Sequence, residues 1–137
     1  MELLARNFPN IGVIEGKLPE DIVDGLWKLI EESRKQPEDM KPELAGNISS
    51  SIRLDGGSPL IEDFVKNIIP KYLEETIKTF PPYRITMKEG QVWNLESLWV
   101  NFQKKHEFNP PHDHSGVYSF VIWMQIPTSY EEQRKLP

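Results

Sequence analysis

The chain has 137 residues, 38% of them apolar and 27% charged, with twelve prolines and no cysteine. That length suits one domain with one core, and the absence of cysteine removes disulfides, thiolate nucleophiles and thiolate-bound zinc together. A net charge of −5 and a pI near 5.2 argue against a nucleic-acid partner, which needs a basic face. The sequence has no apolar run of about 18 residues and no basic-then-apolar leader at Met1–Asn7. It therefore reads as a cytoplasmic protein with no membrane partner.

Taken in order, Ile11 to Ile14 reads as a short strand. A helix is expected next, with Pro19 near its first turn and Glu20, Asp21 and Asp24 at its positive end. Ile22, Val23, Leu26, Leu29 and Ile30 recur at helical spacing and form a core stripe. Residues 36–47 are polar, carry Pro37 and Pro42, and read as a loop. Ser49 to Leu54 reads as an edge strand, closed by the turn Asp55-Gly56-Gly57.

A second helix opens with Ser58 as its cap and Pro59 in its first position. Its apolar set runs from Leu60 and Ile61 through Phe64, Val65, Ile68 and Ile69 to Tyr72. Pro70 is expected to kink or split it, and Pro81-Pro82 to stop it. After residue 82 the period changes. Arg84 to Met87 reads as a strand, and Leu98, Val100 and Phe102 alternate with Trp99, Asn101 and Gln103. Gly116 to Ile126 is β-branched and aromatic on both faces, which suits a strand buried in a sandwich or barrel. Thr128 to Pro137 is polar and reads as a connection.

The layout is α+β in a single domain over 1–137, with a helical support region over 1–82 and strands over 83–137. A sheet with its last edge unpaired invites self-association, so a homodimer is one expected assembly.

All three histidines, His106, His112 and His114, lie within nine residues. His112 and His114 are two apart, so in extended backbone both imidazoles point to one side, as a divalent metal requires. Asp113 would point the other way unless the loop turns it inward. Pro110 and Pro111 stiffen the approach, and Ser115-Gly116 permits close backbone packing. His106 sits beside Lys104, Lys105 and Glu107 and reads as a surface residue. Asn101 is expected to wall the same site. Tyr118 either reaches a ligand carboxylate or packs among Phe120, Ile122 and Met124.

The pattern Trp99-x-Asn101, followed by Asn109-Pro-Pro-His112-x-His114-Ser-Gly116-Val-Tyr118, resembles the 2-oxoglutarate- and iron(II)-dependent oxygenases. It is most similar to those carried by T4-like phages of marine cyanobacteria. Arg6 to Pro19 and Leu44 to Ser49 look similar to the same phage proteins, so the resemblance extends over essentially the whole chain. It implies helices buttressing a double-stranded β-helix, or jelly roll, in an enzyme of the host cytoplasm. It also implies Fe(II) held by two histidines and a carboxylate, with 2-oxoglutarate as co-substrate.

By this resemblance His112 matches the first metal ligand, and His114 stands where the usual motif has its carboxylate. Whether His114 or Asp113 completes the pair stays open, with the spacing favouring His114. Asn101 and Tyr118 are the implied co-substrate contacts. The substrate is a protein side chain or a small metabolite. The superfamily also uses a distal histidine and a basic residue downstream, whereas only Arg134 and Lys135 follow His114 as candidate bases. The expectation is therefore an N-terminal portion of such an oxygenase. Two other classes compete with it: a catalytically inactive jelly-roll binding protein of a phage, and a cupin-like metal-binding module suited to Zn(II).

Overall fold

The structure is a computed structural model that describes residues 14–54, 58–79, 92–114 and 116–135. The expected strand at 11–14, apart from Ile14, lies outside these residues. So do the turn 55–57, the helix stop at 81–82 and the strand at 84–87. The described elements are α1 (Glu20–Ser33), a 3-10 turn (Lys41–Glu43), β1 (Ser51–Arg53), α2 (Pro59–Thr79), β2 (Trp99–Asn101) and α3 (Tyr130–Gln133). They make an α+β arrangement of two long helices against a two-stranded antiparallel sheet. No helix among the described residues is long and apolar enough to cross a membrane.

The core forms where two four-residue repeats meet. On α1, Ile22, Leu26 and Ile30 are buried; on α2, Ile61, Val65 and Ile69 are. Spacing of four keeps each trio on one face, so the two helices bury their stripes against each other. Gly25 lets α2 come close, since a Cβ there would sit 2.8 Å from Leu60 Cδ2. Leu54 and Leu98 close the core from the sheet side, with Val100 and Phe102 packed against it. The alternation expected around β2 is therefore present. At the end of α1, the Arg34 guanidinium lies 4.4 Å from the Phe102 ring centroid and ties the helix to the second strand segment.

Several expectations need correction. Pro70 neither ends nor splits α2, which runs on to Thr79. Pro70 is exposed, and buried Ile69 on the adjoining face holds the helix across the one backbone bond that proline cannot donate. β1 is not an edge strand. It pairs with β2 in the register Ser51↔Asn101, Ile52↔Val100 and Arg53↔Trp99. On its other side Met40 donates to the Ser51 carbonyl at 3.0 Å, and Arg53 to the Glu38 carbonyl at 2.9 Å.

The segment 36–47 is consequently more than a loop. Met40 is among the most deeply buried side chains, and Glu38 and Glu43 both pair with the Arg53 guanidinium. The polar tail contains α3, which opens with a reciprocal cap. Ser129 Oγ accepts the Glu132 N–H at 3.2 Å, and the Glu132 carboxylate accepts the Ser129 N–H at 2.7 Å.

The largest difference concerns 116–126, which forms no strand and is not enclosed. Tyr118, Ile122 and Met124 lean on the core, whereas Val121 is 72% and Trp123 74% exposed. Phe120, at 44% exposed, joins the outer set, so of this segment only Tyr118, Ile122 and Met124 meet packing surface among the described residues.

Replacing Ile61, 1% exposed, with alanine should therefore lower unfolding free energy by about 2–5 kcal/mol. Val121→Ser should change it by less than about 0.5 kcal/mol. Urea denaturation of the two variants beside the parent checks both.

Candidate metal site

The histidine-bearing loop is set by the strands beneath it. Above the β1–β2 pairs, Phe102 donates to the Ser50 carbonyl at 2.9 Å. The second segment then makes a turn over Lys104–Glu107, in which His106 takes a φ of 70°. This left-handed conformation is one that histidine adopts more readily than most residues other than glycine. His106 is exposed, as expected of a surface residue.

Glu107 binds the turn to the facing segment. Its carboxylate accepts the Lys104 N–H at 2.8 Å and the Ser49 N–H at 3.1 Å. The Gln103 side-chain amide donates to the Glu107 carbonyl. Pairing then resumes, with the Asn47 N–H donating to the Phe108 carbonyl at 2.8 Å. Gly46 makes room where Asn109 crosses it, since a Cβ there would meet the Asn109 side-chain oxygen.

From this base the chain passes through Pro110-Pro111 to the histidines. The His112 and His114 rings have centroids 4.7 Å apart and are inclined at 56°. His112 Nδ1 lies 2.7 Å from the Pro110 carbonyl oxygen. A carbonyl oxygen can only accept, so Nδ1 is the donor, and in a neutral ring this leaves the lone pair on Nε2. That is the state in which imidazole ligates a metal, and a backbone carbonyl is a usual partner for the other ring nitrogen of a metal-bound histidine. Both rings are exposed, as is Asp113.

The other candidates have structural partners of their own. Asn101 Oδ1 accepts the hydroxyl of buried Ser51 at 2.8 Å, across the strand pair. Tyr118 packs edge-to-face on Trp93, with centroids 5.2 Å apart, and on Tyr72 at 5.4 Å. Its hydroxyl is buried without a hydrogen-bond partner among the described residues. Burial, and secondarily the neighbouring Tyr72, raises the Tyr118 phenol above its ordinary value and keeps it neutral.

The structure thus brings His112 and His114 together, while the contacts of Asn101 and Tyr118 run to the sheet and to an aromatic cluster. No group of three or more His, Asp or Glu side chains suited to a metal is present among the described residues. Two imidazoles can fill at most two positions on a divalent ion and do not by themselves complete a facial triad. Two shallow depressions lie elsewhere, one beside Arg53 and Glu96 and one beside Lys28 and Leu60, and neither is lined by the histidines.

Sequence reasoning missed Glu107, whose signal was faint: one acidic residue in a charged turn. No family model, curated protein or solved structure matches this chain.

The two backbone donors hold the Glu107 carboxyl below the ordinary glutamate range, the Lys104 N–H contributing most. A depressed folded value means that this contribution to stability is present above the unfolded value near 4.3 and is lost as pH falls through the folded one. The amide proton shifts of Ser49 and Lys104 should titrate together with a midpoint below that range, and Glu107→Gln should abolish the transition. Amide NMR spectra collected across the acid range test this.

Proposed function

We propose that the chain carries part of the metal centre of an iron(II)- and 2-oxoglutarate-dependent oxygenase, with His112 and His114 as two protein ligands. The observation that carries this reading is the exposed imidazole pair, 4.7 Å between ring centroids, with the Nδ1 proton of His112 engaged by Pro110. The resemblance of 99–118 to such oxygenases names the ion and co-substrate. The packing of helices against an antiparallel sheet agrees with helical support of a jelly roll.

When bound, iron(II) and 2-oxoglutarate supply oxidation of a substrate C–H by dioxygen, coupled to decarboxylation of the co-substrate to succinate and CO2. The chain's own residues would present two imidazole rings, one of them held through Nδ1 by the Pro110 carbonyl. As the resemblance implies, Tyr118, whose buried hydroxyl lacks a partner among the described residues, would donate to a carboxylate of 2-oxoglutarate, and Asn101 would line the site. The pair would supply two of the three protein ligands that such a centre uses. A cupin-like zinc module is the second reading, favoured because both donors at hand are nitrogens.

Anaerobic addition of Fe(II) and 2-oxoglutarate should produce the metal-to-ligand charge-transfer band. His112→Ala and His114→Ala should abolish it, and His106→Ala should leave it. Zn(II) binding lost in the same two variants, with no such band, would replace the oxygenase reading by the zinc one. Binding of neither ion would overturn both.

A further inference from the structure

Among the side-chain hydrogen bonds of the described residues near the histidines, that of Glu107 to Ser49 has the longest reach in sequence. Its carboxylate joins a donor three residues behind it to another 58 residues away, bridging the Lys104 turn to the 47–49 segment. The residues that follow are tightly specified. Phe108 is paired in both directions with Asn47, Asn109 lies against Gly46, and Pro110 and Pro111 have fixed φ. Only then comes His112, whose ring is bonded back to Pro110. At the far end the loop is held by Tyr118 between Tyr72 and Trp93. The histidines are therefore carried on a short span between two fixed posts, and the first post joins the Asn47–Phe108 backbone pairing to one side chain, Glu107, that closes the turn beneath it.

We infer that Glu107 is a positioning residue, whose clamp on the Ser49 and Lys104 amides holds the His112 and His114 rings together. Without the carboxylate, Ser49 loses its partner across the turn and the span gains freedom at its base. The two rings then sample separate orientations. A preformed pair binds a metal without the cost of first bringing its ligands together. The mechanical part of this inference stands on the geometry alone, while its consequence for metal affinity rests on the reading above.

The test separates the two. In metal-free protein, NMR should show a nuclear Overhauser effect between the His112 and His114 ring protons. Glu107→Ala should lose it while the methyl signals of Ile30 and Ile61 stay in place, which shows an intact core. Glu107→Gln keeps one acceptor oxygen and should restore the effect in part; it also serves if the alanine variant fails to fold. Titration with Co(II) alone should show affinity falling about tenfold in Glu107→Ala, the low end of what outer partners of metal ligands contribute. Rings that stay together in Glu107→Ala, or are never together in the parent, would overturn the positioning role. Ring proximity that follows Glu107 with no Co(II) bound in any form would retain that role and remove the metal reading.

Discussion

The backbone ladder between residues 47–54 and 98–108 is the constraint on which the rest of this structure depends. It begins with Leu54 donating to the Leu98 carbonyl, continues through the three β1–β2 pairs and ends at the Asn47–Phe108 bridge. Its lower end is inside the core, because Leu54 and Leu98 are both buried against the helices. Its upper end is the base of the histidine loop. The register shifts between the two ends because the Lys104–Glu107 turn has no counterpart on the facing segment, and the Glu107 carboxylate fills the gap that the backbone leaves. Helix packing is thereby linked by hydrogen bonds as far as Phe108, four residues before His112.

What the sequence made legible follows from which residues report on local structure alone. The α1 stripe was readable because Ile22, Leu26 and Ile30 repeat at four and all face one partner. Met40 was not, since a single apolar side chain in a proline-bearing polar stretch has no period; its burial comes from the pairing of 38–40 with β1. Pro70 misled because its local penalty of about 3 kcal/mol is set against the packing of a whole helix face, Ile61, Val65 and Ile69 together. The Ser129-x-x-Glu132 cap was visible in the sequence and marks a helix start, although the polar character around it suggested a loop. Apolar content on both faces of 116–126 suggested enclosure, yet one face is open among the described residues.

The candidate site divides in the same way. The two-residue spacing of His112 and His114 predicted rings on one side, and the structure has them adjacent. The bond from His112 to Pro110 adds what spacing cannot give, a ring held by its own backbone through Nδ1. Asn101 and Tyr118 show how one residue type supports two readings. Asn101 is joined to Ser51 across the sheet, and Tyr118 is an aromatic anchor whose hydroxyl is buried without a described partner. That hydroxyl carries a desolvation cost that a bound carboxylate would relieve.

The central claim is that His112 and His114 form a preorganised nitrogen pair for a divalent ion. Two-bond 1H–15N correlation spectra of the imidazoles, recorded before and after adding Zn(II), test it most directly. The account predicts that free His112 is in the Nδ1–H form, and that Zn(II) shifts the Nε2 signal of His112 and one ring nitrogen of His114 together at one equivalent, leaving His106 unmoved. A His112 in the opposite tautomer, or equal shifts at all three histidines, would contradict it.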